Sequence, residues 1–147
     1  MDSALVYLVQ TDTTVGFSSS NDEKLSAIKK RPNSKKILNT VDTFFTLNKN
    51  ARVPKNFRKL VRNSKKTTFI YPNLNSFRVV SKDCKFYDFI SKFSVLYSTS
   101  ANETTKNFEI NYASKNADVT VENADGFYET TASSIIKLSK KRFKKLR

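Results

Sequence analysis

Short apolar runs separated by polar segments recur along the whole chain, and they constrain its fold more than any other feature. Runs of four to six residues have the length of buried strands and are far too short to span a membrane as helices. The strand candidates are ALVYLV (4–9), KILNTV (36–41), TTFIY (67–71), SFRVV (76–80), SVLYS (94–98), VTVE (119–122) and SIIKL (134–138).

Helical segments are predicted between these strands. Ser20 and Glu23 have the spacing of a capping box, which predicts a helix over about 22–30 that ends before Pro32. Further helices are predicted in VDTFFTL (41–47), in PKNFRKLVR (54–62) and over 83–93. Strands that alternate with helices predict an α/β fold, a twisted mixed sheet flanked by helices, and residues 1–147 fit a single domain.

The charge of the chain is strongly positive. There are 27 Lys and Arg residues against 13 Asp and Glu, which gives a net charge of +14. Such a balance favours polyanionic partners, although lysine-rich surfaces without such a partner also exist. Seven of the basic residues lie in Lys137–Arg147, where they form either a frayed basic arm or the edge strand of a sheet.

Composition excludes several kinds of active site. The chain has no His and one Cys, Cys84, so neither a Ser-His or Cys-His mechanism nor a Cys/His zinc site is available. Its two glycines, Gly16 and Gly126, allow neither a GxGxxG dinucleotide fingerprint nor a P-loop. A single Cys makes no internal disulfide, and the first residues lack a basic region before an apolar stretch. We therefore expect a cytoplasmic protein without a membrane partner.

The segment IKKRPNSKK (28–36) is the first candidate binding site. Lys29 and Arg31 lie two residues apart at a predicted helix end, Pro32 fixes the exit direction, and Lys35 follows. These side chains either converge on the phosphates of an anionic ligand or form an ordinary solvated corner, and charge alone does not decide between the two.

Two polar segments follow predicted strands. STSAN (98–102) offers hydroxyls and an amide at the carboxyl end of a strand, which is either a ligand site or a helix cap. TDTTVG (11–16) follows the first strand, and its threonines either bind a small polar ligand or form a turn.

Taken in order, these segments resemble the YrdC-like family, the threonylcarbamoyl-AMP synthases. LVQTDTTVGF resembles the family's PTDTVYG opening, and KKRPNSKKIL its KxRP segment. STSAN is similar to its Ser-x-Asn signature, and SSIIKLSKKRFKKLR to its closing segment. The resemblance is collinear over about residues 6–147 and implies a YrdC-like α/β domain with a concave basic cavity.

The resemblance also implies an activity. The family makes threonylcarbamoyl-AMP from threonine, bicarbonate and ATP, and separate threonylcarbamoyl-transferase proteins then use it in N6-threonylcarbamoyladenosine modification of tRNA for translation. ATP would be a substrate, with Mg²⁺ held by the nucleotide rather than by the protein. No catalytic side chain is implied, because positioning and electrostatics carry such a reaction.

Matching positions imply the site residues. The expected nucleotide contacts are Lys29, Arg31, Lys35, Thr68, Ser100, Asn102 and Arg147. The expected threonine contacts are Thr11, Ser98 and Ser133. The alternative function is a non-catalytic module of the same fold that binds nucleotide, tRNA or other double-stranded RNA, as the net charge also suggests.

Overall fold

A computed structural model describes residues 1–147, and nine strands form one mixed sheet. The strands are β1 Tyr7–Gln10, β2 Val15–Ser19, β3 Leu38–Val41, β4 Thr67–Ile70, β5 Ser76–Val79, β6 Val95–Ser100, β7 Val119–Val121, β8 Ser134–Leu138 and β9 Phe143–Lys145. Their order across the sheet is β7-β1-β2-β6-β3-β5-β4-β8-β9. The pairs β1–β7, β3–β5 and β4–β8 are parallel and the other pairs are antiparallel.

Five α-helices flank this sheet. They are α1 Asp22–Ile28, α2 Phe44–Asn50, α3 Arg58–Asn63, α4 Phe86–Ile90 and α5 Ile110–Asn116, with a 3₁₀ turn at Lys55–Phe57. The predicted α/β class and mixed sheet are confirmed. None of the helices combines the length and the apolar composition that a membrane crossing requires.

The core lies on both faces of the sheet because the side chains of each strand alternate. In β1, Leu8 packs in a cluster with Phe17 of β2 and Leu25 of α1. Its neighbours Tyr7 and Val9 point to the other face and join a cluster formed largely by α4. A third cluster covers β4 and β5 with α2 and α3. An apolar run buried on both faces is what ALVYLV predicts for its strand.

One strand, β2, was not predicted, and β9 was one of two alternatives for the basic tail. β2 carries Gly and two Ser among its five residues, and it is buried because it lies between β1 and β6. β9 pairs with β8 through Lys145 opposite Ile136, so this part of the basic tail is an exposed edge strand rather than a frayed arm. Lysine-rich edges also discourage pairing with a second chain.

The end of α1 sets the position of the basic segment that follows it. The helix is capped by Asn21, whose side chain accepts a hydrogen bond from the Lys24 amide at 3.0 Å, so the predicted cap at Ser20 is one residue early. Lys29 closes the helix, and Lys30 adopts a left-handed conformation with φ of +51°. The chain therefore turns away from the helix axis immediately before Arg31.

Candidate functional site

A cavity of about 340 Å³ lies where the ends of several strands meet. The β1–β2 turn, the end of β6, the segment after α1 and the C-terminal residue all contribute to its wall. Its lining residues are Thr11, Thr13, Thr14, Gly16, Arg31, Leu38, Arg78, Ser98, Thr99, Ser100, Ala132, Ser133 and Arg147. The volume is within the range of small-molecule sites.

The hydroxyl groups of the cavity fall into two classes. Ser98 and Ser100 project from β6, and neither side chain is engaged by another group of the chain, so both can bind a ligand. The Thr11 hydroxyl donates to the Thr14 carbonyl at 2.6 Å and accepts from the amides of Thr13 and Thr14. It therefore builds the β1–β2 turn as well as lining the cavity.

Gly16 gives the hairpin its close approach to β6. A Cβ atom at this position would lie 3.0 Å from Thr11 Cγ2 and 3.1 Å from the Thr99 carbonyl oxygen. It would also stand 3.6 Å from Ser98 Oγ, at the cavity wall. A side chain here would push the hairpin and β6 apart, so the absence of a side chain keeps the wall in place.

A buried ion pair supports the floor of the cavity. Arg78 Nη1 donates to Asp12 Oδ1 at 2.7 Å, and the two side chains are only 10% and 3% exposed. Arg78 also donates to Thr68, Thr13 and Ser133. Neither Arg78 nor Asp12 was among the predicted site residues. The available signal was Arg78 itself, a charged residue between Phe77 and Val79 in a strand predicted to be buried.

The C-terminal residue also reaches the cavity. Arg147 Nε donates to the Ser133 carbonyl at 2.8 Å, and its Nη2 donates to Ser133 Oγ at 3.2 Å. Backbone hydrogen bonds between Arg147 and Ile135 continue the β8–β9 ladder to the last residue. The basic tail thus places a guanidinium group beside Ser133.

The charges of the cavity favour an anionic ligand. Arg31, Arg78 and Arg147 all line it, and Arg31 makes no salt bridge. The adjacent carboxylate of Asp12 is already neutralised by Arg78. Guanidinium groups suit carboxylate and phosphate oxygens because their donors form a planar fork.

Lys29 does not line the cavity. Its Nζ donates to the backbone carbonyl of Ser100 at 3.0 Å and to the carbonyl and side-chain oxygens of Asn102 at 2.5 and 3.1 Å. The side chain is buried, and this burial, with the nearby charge of Arg31, lowers the pKa of Lys29 to about 8. Lys29 therefore links the end of α1 to the end of β6 through hydrogen bonds.

The remaining predicted residues lie around the cavity or away from it. Asn102 is engaged by Lys29 and donates to the Lys106 carbonyl. Thr68 lies behind Ser133, where it accepts a hydrogen bond from Arg78. Lys35 lines a separate hollow together with Asn33, Lys36 and Asn39. Lys29, Arg31 and Lys35 thus do not converge on one point in this structure.

Neither a metal site nor an activated cysteine is present in the structure. No cluster of three or more His, Cys, Asp or Glu side chains that could hold a metal ion is present. Cys84 is partly buried, and burial raises the pKa of its thiol. A thiol with a raised pKa stays protonated, and a protonated thiol is a poor nucleophile. This agrees with a packing role for Cys84.

Comparison with solved structures places this geometry in a known architecture. The chain superposes on E. coli YciO with a TM-score of 0.77 at 16% identity, over 98% of this chain and 82% of that one. P. abyssi Sua5 complexed with L-threonine gives a TM-score of 0.75 at 14% identity, over 98% and 50%. The chain has the YrdC-like fold.

A third solved structure, that of HypF, contains the same fold. Full-length HypF in its phosphate- and nucleotide-bound form matches the YrdC-like fold of this chain with a TM-score of 0.72 at 15% identity. This match covers 98% of the present chain and 27% of HypF, and the chain spans about half the length of Sua5. No protein-family model and no curated protein matches the sequence. The resemblance suggested by the sequence motifs is confirmed at the level of the fold.

Proposed function

We propose that this YrdC-like domain is an L-threonylcarbamoyladenylate synthase, a nucleotidyltransferase that forms threonylcarbamoyl-AMP for the N6-threonylcarbamoyladenosine modification of tRNA. One observation carries the proposal. Six side chains expected from sequence alone to contact nucleotide or threonine line one cavity, although they come from distant segments. They are Thr11, Arg31, Ser98, Ser100, Ser133 and Arg147.

The chemistry requires two anions to be held together. The threonine amine first takes up the carbon of bicarbonate, which releases water and gives a carbamate. A carbamate oxygen then attacks the α-phosphorus of ATP, so that a new P–O bond forms while the bond to the β-phosphate oxygen breaks and pyrophosphate leaves. Free guanidinium groups in a confined site lower the repulsion between the reactants, and no nucleophilic side chain is needed.

Different residues of the cavity would contact the two reactants. Arg31 and Arg147 would contact the nucleotide phosphates, while Ser98 and Ser133 would face threonine. Lys29 would act as a positioning residue, because its ammonium group holds the backbone of Ser100 and Asn102. The geometry gives no such support to Lys35, whose proposed phosphate contact rests on the motif alone.

Mg²⁺ would enter with the nucleotide. The cavity offers no unpaired carboxylate, because Asp12 is bonded to Arg78, and no cluster of metal-binding side chains is present. These residues do not fit a resident metal site. Phosphate oxygens and water would supply the ligands of the ion, as is usual for Mg²⁺ in nucleotide sites.

The fold neighbours support the chemical classes of the substrates. The Sua5 structure contains L-threonine, and the HypF structure is described as phosphate- and nucleotide-bound. By analogy, threonine and a nucleotide are proposed as ligands here. Direct tRNA or double-stranded RNA binding, and hand-over to threonylcarbamoyl-transferase proteins, stay predictions.

Pyrophosphate release from ATP tests the proposal. We expect release by the purified chain only when threonine and bicarbonate are both present. Arg31→Ala should weaken ATP binding by about tenfold, as loss of a charge-assisted hydrogen bond does. Lys92→Ala provides a matched loss of charge at an exposed position outside the cavity. ATP binding without any effect of threonine and bicarbonate on pyrophosphate release would instead favour the alternative, a non-catalytic binding module.

A further inference from the structure

A second basic region lies away from the cavity, on the surface formed by α2, α3 and the 3₁₀ turn before α3. Between residues 43 and 82 the chain carries ten Lys and Arg residues and no Asp or Glu. Part of this segment folds so that two hollows of about 500 and 610 Å³ share Arg52 and Arg58 in their walls. The two hollows therefore adjoin each other at Arg52 and Arg58, and we call them together the α2–α3 groove.

The cations of this groove have no acidic partner. Its basic lining residues are Lys49, Arg52, Lys55, Arg58, Arg62 and Lys140. None of the six takes part in a salt bridge, and neither wall contains an acidic residue. Unpaired cations along a groove attract a chain of phosphates, because each contact releases condensed counterions.

Aromatic rings lie beside these cations. The Phe45 side chain is 68% exposed, and Lys49 Nζ lies 4.4 Å from the centre of its ring. Arg62 lies over the ring of Phe44, which lines the first hollow. An exposed ring next to a row of cations provides a stacking surface for an unpaired base, whereas a base within a duplex is not available for stacking.

We infer that the α2–α3 groove binds a single-stranded segment of nucleic acid, with phosphates along Arg52, Arg58 and Arg62 and a base on Phe45. This site is separate from the cavity and does not depend on its proposed activity. An anionic membrane would be a weaker partner, because Phe45 is the one large apolar side chain that is highly exposed on α2 and α3.

Salt dependence of oligonucleotide binding tests the inference. A labelled oligouridylate of about 12 nucleotides should bind with an affinity that falls steeply with salt. In Arg52→Gln/Arg58→Gln the slope of log affinity against log salt should shrink by about 1.4, from the loss of two phosphate contacts. Lys92→Gln/Lys115→Gln removes the same charge elsewhere and should leave the slope unchanged. Equal slopes for the two double variants would overturn the proposal.

The aromatic contact is tested separately. Phe45→Ala should weaken binding by about tenfold, and Phe45→Trp should retain it because the stacking surface remains. Oligodeoxythymidylate of equal length shows whether the groove distinguishes DNA from RNA. The cavity variant Arg31→Ala should bind both oligonucleotides as the unmodified chain does, because the groove is separate from the cavity. Stronger binding to a duplex, or binding to anionic phosphatidylserine vesicles without binding to either oligonucleotide, would contradict a single-strand site.

Discussion

Arg78 and Asp12 show how much of the site depends on individual buried residues. Their ion pair joins β5 to the β1–β2 turn, and the hydrogen bonds of Arg78 extend to Thr68 and Ser133. Two charges with little access to water are costly to desolvate, and their attraction compensates for this only while both are present. The pair therefore acts as a fixed support for the hydroxyl groups above it.

Removing one partner of this pair should be strongly destabilising. We expect Arg78→Ala to lower the free energy of unfolding by about 3–5 kcal/mol, because Asp12 would be left as an uncompensated buried charge. The measurement is the midpoint of urea unfolding at constant slope. The double variant Asp12→Asn/Arg78→Met removes both charges and should recover much of the loss. A double variant no more stable than Arg78→Ala would contradict this account.

Lys29 should give stability a distinctive pH dependence. Its pKa is about 8 in the folded protein and near its ordinary value of 10.5 in the unfolded chain. Between these values the unfolded chain binds more protons, so stability rises with pH. The penalty of burying the charged amine is complete below pH 8 and diminishes above it.

Comparison with Lys29→Met isolates this effect. From pH 8 to 9.5 the unfolding free energy of the unmodified chain should rise by about 1–2 kcal/mol relative to the variant. The window stays below the range where buried Tyr71, whose pKa is raised by burial, makes an opposing contribution. A constant difference between the two proteins across the window would mean that Lys29 titrates normally.

At the scale of elements, the β1–β2 hairpin determines how closely β6 approaches the cavity. Gly16→Ala should destabilise the fold by about 1–3 kcal/mol and weaken ligand binding, because the new methyl group meets the Thr99 carbonyl at 3.1 Å. Thermal unfolding and ATP titration measure the two effects. Ser20→Ala, at the exposed end of the same hairpin, should change stability by less than about 0.5 kcal/mol. Equal behaviour of the two variants would refute the steric argument.

The β8–β9 hairpin carries the only part of the basic tail that reaches the cavity. Arg147→Gln should weaken ATP binding by about tenfold with little loss of stability, because the side chain is exposed and bonded only to Ser133. Lys144→Gln removes an equal charge from β9 outside the cavity and serves as the control. If both variants weaken ATP binding equally, the tail acts through general charge and not through a specific contact.

At the scale of the whole molecule, periodicity and motif order were sufficient to predict the class of fold. Strands such as β1 and β6 were recognised because their own residues are apolar. β2 was not, because its burial comes from its neighbours in the sheet. Contacts between distant segments were the hardest to predict from the sequence. Arg78 bonds Asp12 across 66 residues, and Lys29 bonds Ser100 across 71.

The cavity itself was predicted only in outline. The motifs named residues that line it, such as Arg31, Ser98 and Arg147, because these lie near or just beyond the ends of strands or helices that meet there. They did not reveal that the Lys29 side chain is turned toward backbone oxygens, or that Arg78 supplies the floor. A motif specifies which residue types are required, whereas the direction of each side chain depends on packing across the sheet.

The most direct test of the central claim is the transfer of carbon-14 from bicarbonate into an adenylate. The purified chain is mixed with labelled bicarbonate, threonine, ATP and Mg²⁺, and the rapidly quenched products are separated by chromatography. We expect a labelled product that contains both threonine and AMP, that is absent when any substrate is omitted and that is strongly reduced in Arg31→Ala. Binding of ATP and threonine with no label in any adenylate would contradict the central claim.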